Sequence, residues 1–185
     1  MDALESRIGM LWPDAAAFAA GHGLDPLVAT KLWENPCWFS FRLNYLALHF
    51  NGPVYGYIQE RHGLMRPEYV VLYSLSLKDG STAKAISESS GFPKTTISRA
   101  VQSLIERRLI ERTPDSGDRR SFRLELTAEG RRITDETLTP MLERERLMLA
   151  PLSPAERFML AELLAKLVVA APTWPDAVLP GPATV

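Results

Sequence analysis

Metal-binding and disulfide-forming side chains are scarce in this sequence. Its 185 residues include one cysteine, Cys37, and three scattered histidines. One cysteine excludes an intrachain disulfide and a multi-cysteine zinc centre, and we predict neither a metal nor another cofactor. Paired carboxylates, a phosphate-binding glycine loop and a nucleophile motif are missing as well. We therefore predict that the protein is not an enzyme.

Long hydrophobic runs are also missing. The longest stretch without a charged residue, 43–59, contains asparagine, glycine and proline, and is too polar for a membrane span. Asp2 and Glu5 stand where a signal peptide would carry basic residues before an apolar run. Hydrophobic residues nevertheless make up 46% of the chain, enough for one folded domain with appended tails. We expect a cytoplasmic protein without a membrane partner.

Charge is balanced over the whole chain but not along it. The 21 basic and 22 acidic residues give a formal net charge of -1. Residues 84–132 hold 11 basic and 7 acidic residues, whereas the remainder holds 10 and 15. Because salt screens charge over about 8 to 10 Å, a basic segment can attract nucleic-acid phosphates under a neutral total. A solvated helix face would have the same composition, so charge alone does not decide the function.

Hydrophobic periodicity predicts a mainly α fold with one small β-hairpin. The predicted helical segments are 38–50 and 54–61, which Gly52-Pro53 breaks or kinks, then segments beginning near Pro67, at Ala83, at Pro93, after Thr127 and at Pro154. Thr82 and Ser153 are the expected N-caps, and Glu156 would complete a capping box. Alternating residues predict strands over 110–113 and 122–126, joined by a turn.

The two ends of the chain differ from this middle. Residues 1–36 hold short apolar pieces between prolines and glycines, which predict short helices that need another surface to pack on. Apolar side chains such as Trp12 and Trp33 favour an extension that wraps a partner subunit, with a mobile tail as the alternative. Residues 172–185 are rich in proline and predict a tail without helix.

Two short helices joined at Gly91 and followed by a hairpin form a winged helix-turn-helix. In the second helix, Ile97, Val101 and Leu104 recur at the spacing of a buried stripe. The other face carries donors and short polar side chains suited to base edges and phosphates. These candidate DNA contacts are Lys94, Thr95, Thr96, Ser98, Arg99, Gln102 and Ser103.

The motifs between Gly91 and Gly130 resemble those of the MarR-type winged-helix transcription regulators. They are Thr96-Ile97-Ser98-Arg99, the segment 104–109, Asp118-Arg119-Arg120 and Leu126-Thr127-Ala128-Glu129-Gly130. Asn35-Pro36-Cys37 and the start of the last helix extend the similarity to roughly residues 35–170. The resemblance implies that the helix from Pro93 enters the major groove of DNA. It also implies that Arg120 in the wing reaches a neighbouring minor groove, and Arg119 beside it is a further candidate DNA contact.

The wing residues suit this role chemically. A weakly hydrated, planar guanidinium matches the negative potential of a narrow minor groove. Asp118 would hold a guanidinium in place by a charge-assisted pair, or would simply form the turn after Gly117. The family usually has glycine where this chain has Arg108, so a left-handed backbone there would cost about 1 kcal/mol. Arg107 and Arg108 could add phosphate contacts, but simple solvent exposure is the favoured interpretation.

The resemblance also implies a homodimer whose first and last helices interlock. The predicted parts are an N-terminal extension over 1–36, a winged-helix unit over 37–171 and a proline-rich tail over 172–185; within the unit, 67–127 is the DNA-binding lobe, and 37–61 and 128–171 are the dimerisation helices. Two-fold symmetry would separate the recognition helices by about 34 Å, which predicts a palindromic operator.

Two signals for release from DNA remain open. Cys37 begins the first long helix, where the helix dipole favours a reactive thiolate, as in peroxide-sensing relatives. Those sensors have a tyrosine where this chain has Phe41, and a buried structural cysteine is the favoured interpretation. The other signal is a small aromatic or phenolic effector, in a pocket formed by Trp38, Arg42, Tyr45, His49 and Tyr69. Each of these residues could instead be ordinary core or interface.

We therefore predict a sequence-specific, DNA-binding transcription regulator, a repressor that an aromatic or oxidant signal releases. The alternative is a winged-helix protein-interaction module without specific DNA binding. The intact Ser98, Arg99 and Arg120 argue against that alternative.

Overall fold

The computed structural model of the chain describes residues 15–114 and 122–175. The elements are α1 (Ala15–His22), α2 (Pro26–Trp33), α3 (Trp38–His62), α4 (Arg66–Leu77), α5 (Ala83–Ser90), α6 (Lys94–Glu106), β1 (Ile110–Pro114), β2 (Phe122–Leu126), α7 (Ala128–Leu149) and α8 (Pro154–Ala170), with a 3-10 turn at Ala171–Thr173. The predicted mainly α fold with one hairpin is confirmed. The described residues fall into two compact units, divided between Met141 and Leu142. In the part of the chain described, no helix is both long and apolar enough to cross a membrane.

The helix ends follow from the capping residues that the sequence predicts. Thr82 accepts a hydrogen bond from the Ala85 amide at 3.2 Å and begins α5. Ser153 accepts from the Glu156 amide at 3.3 Å, while a Glu156 carboxylate oxygen accepts from the Ser153 amide at 2.8 Å. This reciprocal pair is the predicted capping box at the start of α8.

α3 continues through Gly52-Pro53, so of the two predicted alternatives, a break or a kink, the break is wrong. α3 is one helix of 25 residues with Pro53 in its interior. Proline has no N–H, so one hydrogen bond of the helix is lost at that position. Val54 and Ile58 follow within two turns and are buried in the core. Their packing offsets the lost bond, since burying one such side chain stabilises the fold by about 1.5 to 3 kcal/mol.

The core of the first unit gathers side chains from five helices, α3 to α7, and the hairpin. The largest fully buried members include Ile58, Leu72, Leu75, Ile86, Ile97, Leu104, Ile110 and Leu124. The predicted stripe of α6 is confirmed, because Ile97 and Leu104 are fully buried and Val101 is half-buried. This core holds α6 by one face and leaves the opposite face exposed.

The short N-terminal helices are confirmed and pack within their own chain. α1 and α2 enclose a small cluster of Ala19 and Ala29, with Leu24 and Trp33 against it. α2 also contacts α3. There the Arg42 guanidinium lies 5.0 Å from the centre of the Trp33 ring. Wrapping of a partner subunit by this extension stays a prediction.

Candidate nucleic-acid interface

The turn between α5 and α6 is fixed by backbone geometry. Gly91 adopts a left-handed conformation with φ of 72° and donates its amide to the Ser87 carbonyl at 3.1 Å. A residue with a Cβ is strained in this conformation, which explains the glycine. The Ser87 hydroxyl donates to the Phe92 carbonyl at 2.8 Å. Pro93 has an extended conformation and is the N-cap residue of α6. An N–H at the start of a helix has no partner within the helix, so proline costs no helical hydrogen bond there.

The exposed face of α6, the recognition helix, brings most of the candidate DNA contacts together. Ile97, Ala100 and Leu104 are buried on the opposite face. The exposed residues are Lys94, Thr95, Ser98, Arg99 and Gln102, and Thr96 is half-buried beside them. Gln102 donates its side-chain amide to Glu106 at 2.9 Å, so part of its hydrogen-bonding capacity is used within the helix. Their contact with DNA stays a prediction.

Ser103, also predicted to contact DNA, bonds to α4 instead of lying free on this face. Its hydroxyl donates to a carboxylate oxygen of Glu68 in α4. Ser103 is half-buried, and Glu68 is 9% exposed. The helical spacing alone could not show this, because Glu68 lies 35 residues away in the sequence.

The wing is anchored at its base by the loop after α4. β1 and β2 pair antiparallel, with Ile110 opposite Leu126 and Pro114 opposite Phe122. Leu124 of β2 exchanges backbone hydrogen bonds with Gly80 at 3.0 Å and Ser81 at 3.1 Å. These bonds place residues 80–81 as a short edge segment beside β2. They also fix the point at which the hairpin projects from the core. Asp118, Arg119 and Arg120 of the predicted wing tip lie outside the described residues.

A close backbone contact joins the wing to α7. An ideal Cβ placed on Gly130 would lie 2.1 Å from the Leu109 carbonyl oxygen, so only glycine fits there. Thr127 begins the helix, as predicted, by accepting from the Gly130 amide at 3.1 Å. The Thr127 hydroxyl is also 2.9 Å from the Arg108 carbonyl oxygen, to which it donates. The Leu-Thr-x-x-Gly motif therefore docks α7 onto the start of β1.

The two arginines after α6 behave differently from each other. Arg108 has φ of 58°, so the strained left-handed conformation considered from the sequence is confirmed. Arg107 is solvent-exposed, as expected, but its guanidinium also donates to the carbonyl oxygens of His62 at 2.7 Å and Gly63 at 3.0 Å. These bonds tie the end of α6 to the end of α3.

A cavity of about 330 Å³ lies between α5, the recognition helix and the hairpin. Ser98 and Gln102 line it from the recognition helix, and Lys84 and Arg112 line it from the other two elements. The Arg112 guanidinium lies 5.0 Å from the centre of the Phe122 ring. Sequence reasoning did not single out Lys84 or Arg112, although both belong to the basic segment 84–132. Their placement adds positive charge beside the exposed face of α6.

Comparison with known proteins agrees with this geometry. Residues 62–121 match the sequence profile of the MarR family. By this match the segment is similar to the MarR family, and it contains α4, α5, α6 and β1. The chain is 28% identical over 101 residues to the HTH-type transcriptional repressor NicR of Pseudomonas putida. That match covers 55% of this chain and 64% of NicR, so it spans slightly less than two thirds of the relative.

Solved MarR-type structures share the fold. A MarR/EmrR family transcriptional regulator from Acinetobacter sp. ADP1 is 26% identical, with a TM-score of 0.65, over 73% of this chain and 95% of that one. The PcaV transcriptional regulator from Streptomyces coelicolor, solved in complex with its natural ligand, is 25% identical, with a TM-score of 0.59. That match covers 76% of this chain and 96% of PcaV. Fold and family therefore agree with the resemblance inferred from the motifs.

Four of the five candidate effector residues follow one another along α3. The Arg42 guanidinium lies 5.2 Å from the Trp38 ring centre and donates to the Trp38 carbonyl at 3.0 Å. Burial lowers the pKa of Arg42 below its usual value. The Tyr45 and His49 rings lie 4.4 Å apart, one turn further along. This half of α3 therefore presents a cation next to aromatic rings.

Tyr69 occupies a different environment and is a core residue. It is 1% exposed, and its hydroxyl is 2.6 Å from the Thr137 hydroxyl oxygen. Burial raises the pKa of Tyr69 to about 12. Its ring is stacked near that of Tyr73, with the ring centres 6.1 Å apart. The interpretation of Tyr69 as ordinary core, left open by the sequence, is confirmed.

Cys37 is exposed in the single chain, so the expectation of a buried cysteine is wrong here. It is the N-cap residue of α3, and its amide donates to the Asn35 side-chain oxygen at 2.9 Å. The Asn35-Pro36-Cys37 turn thereby sets the start of α3.

Proposed function

We propose that this protein is a sequence-specific, DNA-binding transcription regulator whose recognition helix, α6, enters the major groove. The observation that carries the proposal is the division of α6 into a face buried at Ile97, Ala100 and Leu104 and an exposed polar face with Lys94 and Arg99. We expect Arg119 and Arg120, which lie between the two strands in the sequence, to contact DNA as well. The expected role of Asp118 is to hold a wing arginine by a charge-assisted pair. Lys84 and Arg112 supply further charge for phosphates.

We propose that two copies form the DNA-binding unit and that the operator is palindromic. In the single chain, no residue of α8 is buried. Phe158 and Val168 are each 71% exposed and Val169 is 79% exposed. An apolar helix of this kind is normally covered by another surface. A second copy, related by a two-fold axis, supplies that cover and presents two recognition helices to successive turns of DNA.

We propose that the protein is a repressor and that a small aromatic or phenolic compound, or an oxidant, releases it. NicR, to which the chain is similar, is a transcriptional repressor. The cation and rings around Trp38, Arg42, Tyr45 and His49 suit a planar aromatic ligand. The exposed thiol of Cys37 suits an oxidant. A Cys37→Ser protein that still leaves DNA normally on peroxide treatment would eliminate the oxidant.

Fluorescence anisotropy on DNA from upstream of the protein's own gene tests the DNA-binding proposal. Scrambled DNA of equal length is the comparison, and both are measured across a salt series. Tight, salt-sensitive and sequence-selective binding is the expected result. Equally weak binding to both DNAs by a folded protein, with and without aromatic acids, would favour the protein-interaction module instead.

Arg99→Ala is expected to weaken operator binding by about 1 to 3 kcal/mol while leaving the fold intact. Arg120→Ala is expected to have an effect of the same size, because the wing arginine reads the minor groove. Lys31→Ala is the matched control, since Lys31 is an exposed cation on α2. The same anisotropy titration measures all three. Wild-type affinity in the Arg99 variant would show that the exposed face of α6 does not contact DNA.

A further inference from the structure

A buried carboxylate lies between the start of α4 and the recognition helix. Glu68 occupies the first turn of α4 and is 9% exposed. Its Oε2 accepts a hydrogen bond from the Met65 amide at 2.6 Å, which caps the helix. Its Oε1 accepts one from the Ser103 hydroxyl at 2.5 Å. Glu68 therefore bonds to both helices through different oxygens.

Arg107 closes the other side of this cluster. It is the C-cap residue of α6, and its Nη1 lies 3.9 Å from Oε2 of Glu68. The same guanidinium donates to the carbonyl oxygens of His62 and Gly63, where α3 ends. Carbonyls at a helix C-terminus have no partner within their helix and carry the negative end of its dipole. Arg107 satisfies two of them from a position at the end of α6.

The chemistry of this contact requires arginine. Its planar guanidinium donates from two nitrogens in a fixed geometry, which matches the two separate carbonyls at the end of α3. A lysine ammonium is a compact, strongly hydrated charge at the end of a flexible chain and does not reproduce that geometry. The contact therefore depends on the shape of the cation as well as on its charge.

We propose that Arg107 is a positioning residue for DNA binding, which fixes the recognition helix to the C-terminal end of α3 and does not itself contact phosphate. Glu68 and Ser103 complete this arrangement, which we name the Arg107 clamp. The inference rests on the proposed binding of DNA by α6. The N-terminal end of α3 carries Cys37 and the candidate effector residues. A displacement of α3 would therefore be transmitted to the recognition helix through the hydrogen bonds of Arg107.

Substitution of Arg107 separates positioning from direct contact. Arg107→Ala and Arg107→Lys are both expected to weaken operator binding, by about two- to thirtyfold, the range for residues that couple sites without touching the ligand. Both variants keep the wild-type dependence of affinity on salt, because no phosphate contact is lost. Arg99→Ala is the matched comparison, and we expect its slope of log K against log salt to fall by about 1.

Amide hydrogen exchange tests the clamp without DNA. In Arg107→Ala, we expect faster exchange of the Arg108 and Leu109 amides, which bond to the carbonyls of Ile105 and Leu104 at the end of α6. The Ile86 amide in α5 is the internal reference and keeps its rate. Ser103→Ala removes one hydroxyl from the clamp and is the milder variant, should Arg107→Ala fold poorly. We expect Ser103→Ala also to lower the affinity for the operator and to speed the exchange of the Arg108 and Leu109 amides.

Three outcomes would overturn the proposal. A reduced salt slope in Arg107→Ala, together with wild-type affinity in Arg107→Lys, would make Arg107 a phosphate contact. Wild-type affinity in Arg107→Ala would make it irrelevant to binding. Unchanged exchange of the Arg108 and Leu109 amides in both Arg107→Ala and Ser103→Ala would show that no clamp exists. If the wild-type protein bound no DNA selectively, the proposed function would fail, and the exchange rates alone would still decide whether the clamp exists.

Discussion

At the scale of single residues, Tyr69 shows what one buried hydroxyl contributes. Its phenol oxygen lies 2.6 Å from the Thr137 hydroxyl, which donates to the Ile133 carbonyl at 2.8 Å. This chain of hydrogen bonds connects α4 to a buried turn of α7. Burial favours the neutral phenol, and the pKa of Tyr69 is raised to about 12. The native state therefore stabilises the protonated form of this residue.

This raised pKa predicts how stability changes at high pH. An unfolded tyrosine ionises near pH 10, so the contribution of Tyr69 is complete below about pH 10 and is lost as pH rises toward 12. Tyr69→Phe is expected to lower the free energy of unfolding by about 1 kcal/mol at pH 8, because one buried hydrogen bond is lost. Urea unfolding at several alkaline pH values measures both effects.

The Tyr69→Phe protein is also expected to lose less of its stability than the wild type between pH 10 and 12. Tyr57→Phe is the control, because Tyr57 is 38% exposed. Equal losses of stability in the wild type and the Tyr69 variant would contradict the burial of an un-ionised phenol at this position.

At the scale of secondary-structure elements, the local ends of helices could be predicted from the sequence and their distant contacts could not. Thr82 and Ser153 cap their helices through partners three residues away, which a sequence pattern records directly. The continuation of α3 through Pro53 depends on the tertiary packing of Val54 and Ile58, which no local rule contains. Arg107 is the same kind of case, since its partner His62 lies 45 residues away.

The junction of α7 with the hairpin gives a prediction at this scale. Gly130→Ala is expected to lower the free energy of unfolding by about 1 to 3 kcal/mol or more, because its Cβ would overlap the Leu109 carbonyl and push α7 away. Gly52→Ala is the matched control inside α3, where an added Cβ meets nothing within 4 Å. It is expected to stabilise the protein by about 0.5 to 1 kcal/mol, since alanine favours the helix.

Urea unfolding of the two variants beside the wild type measures this pair. The opposite signs separate the specific contact at Gly130 from a general effect of alanine. Equal stability of the Gly130 variant and the wild type would mean that α7 does not approach β1 as closely as described.

At the scale of the whole molecule, charge and apolar surface are segregated along the chain. The excess of basic residues lies in 84–132, the segment that contains the recognition helix and the hairpin. The exposed apolar side chains of α8 belong to the second compact unit, after Met141. Sequence composition predicted the basic segment, whereas only the structure shows that α8 has no buried residue in the single chain. In the proposed function, the first surface binds DNA and the second binds a second copy of the chain.

Disrupting the apolar surface of α8 is expected to separate the subunits. Phe158→Glu places a charge where a two-fold interface would bury the side chain, and each substitution counts twice in a symmetric dimer. Lys78→Glu is the control, because it introduces the same side chain at an exposed position of the first compact unit, outside the predicted dimerisation helices. Sedimentation velocity is expected to show a monomer for the Phe158 variant at micromolar concentration and a dimer for the Lys78 variant.

The monomer should lose affinity for a full palindromic operator much more than for a half-site, because only the dimer places two recognition helices on one DNA. A dimeric Phe158 variant with wild-type operator affinity would exclude this residue from the interface.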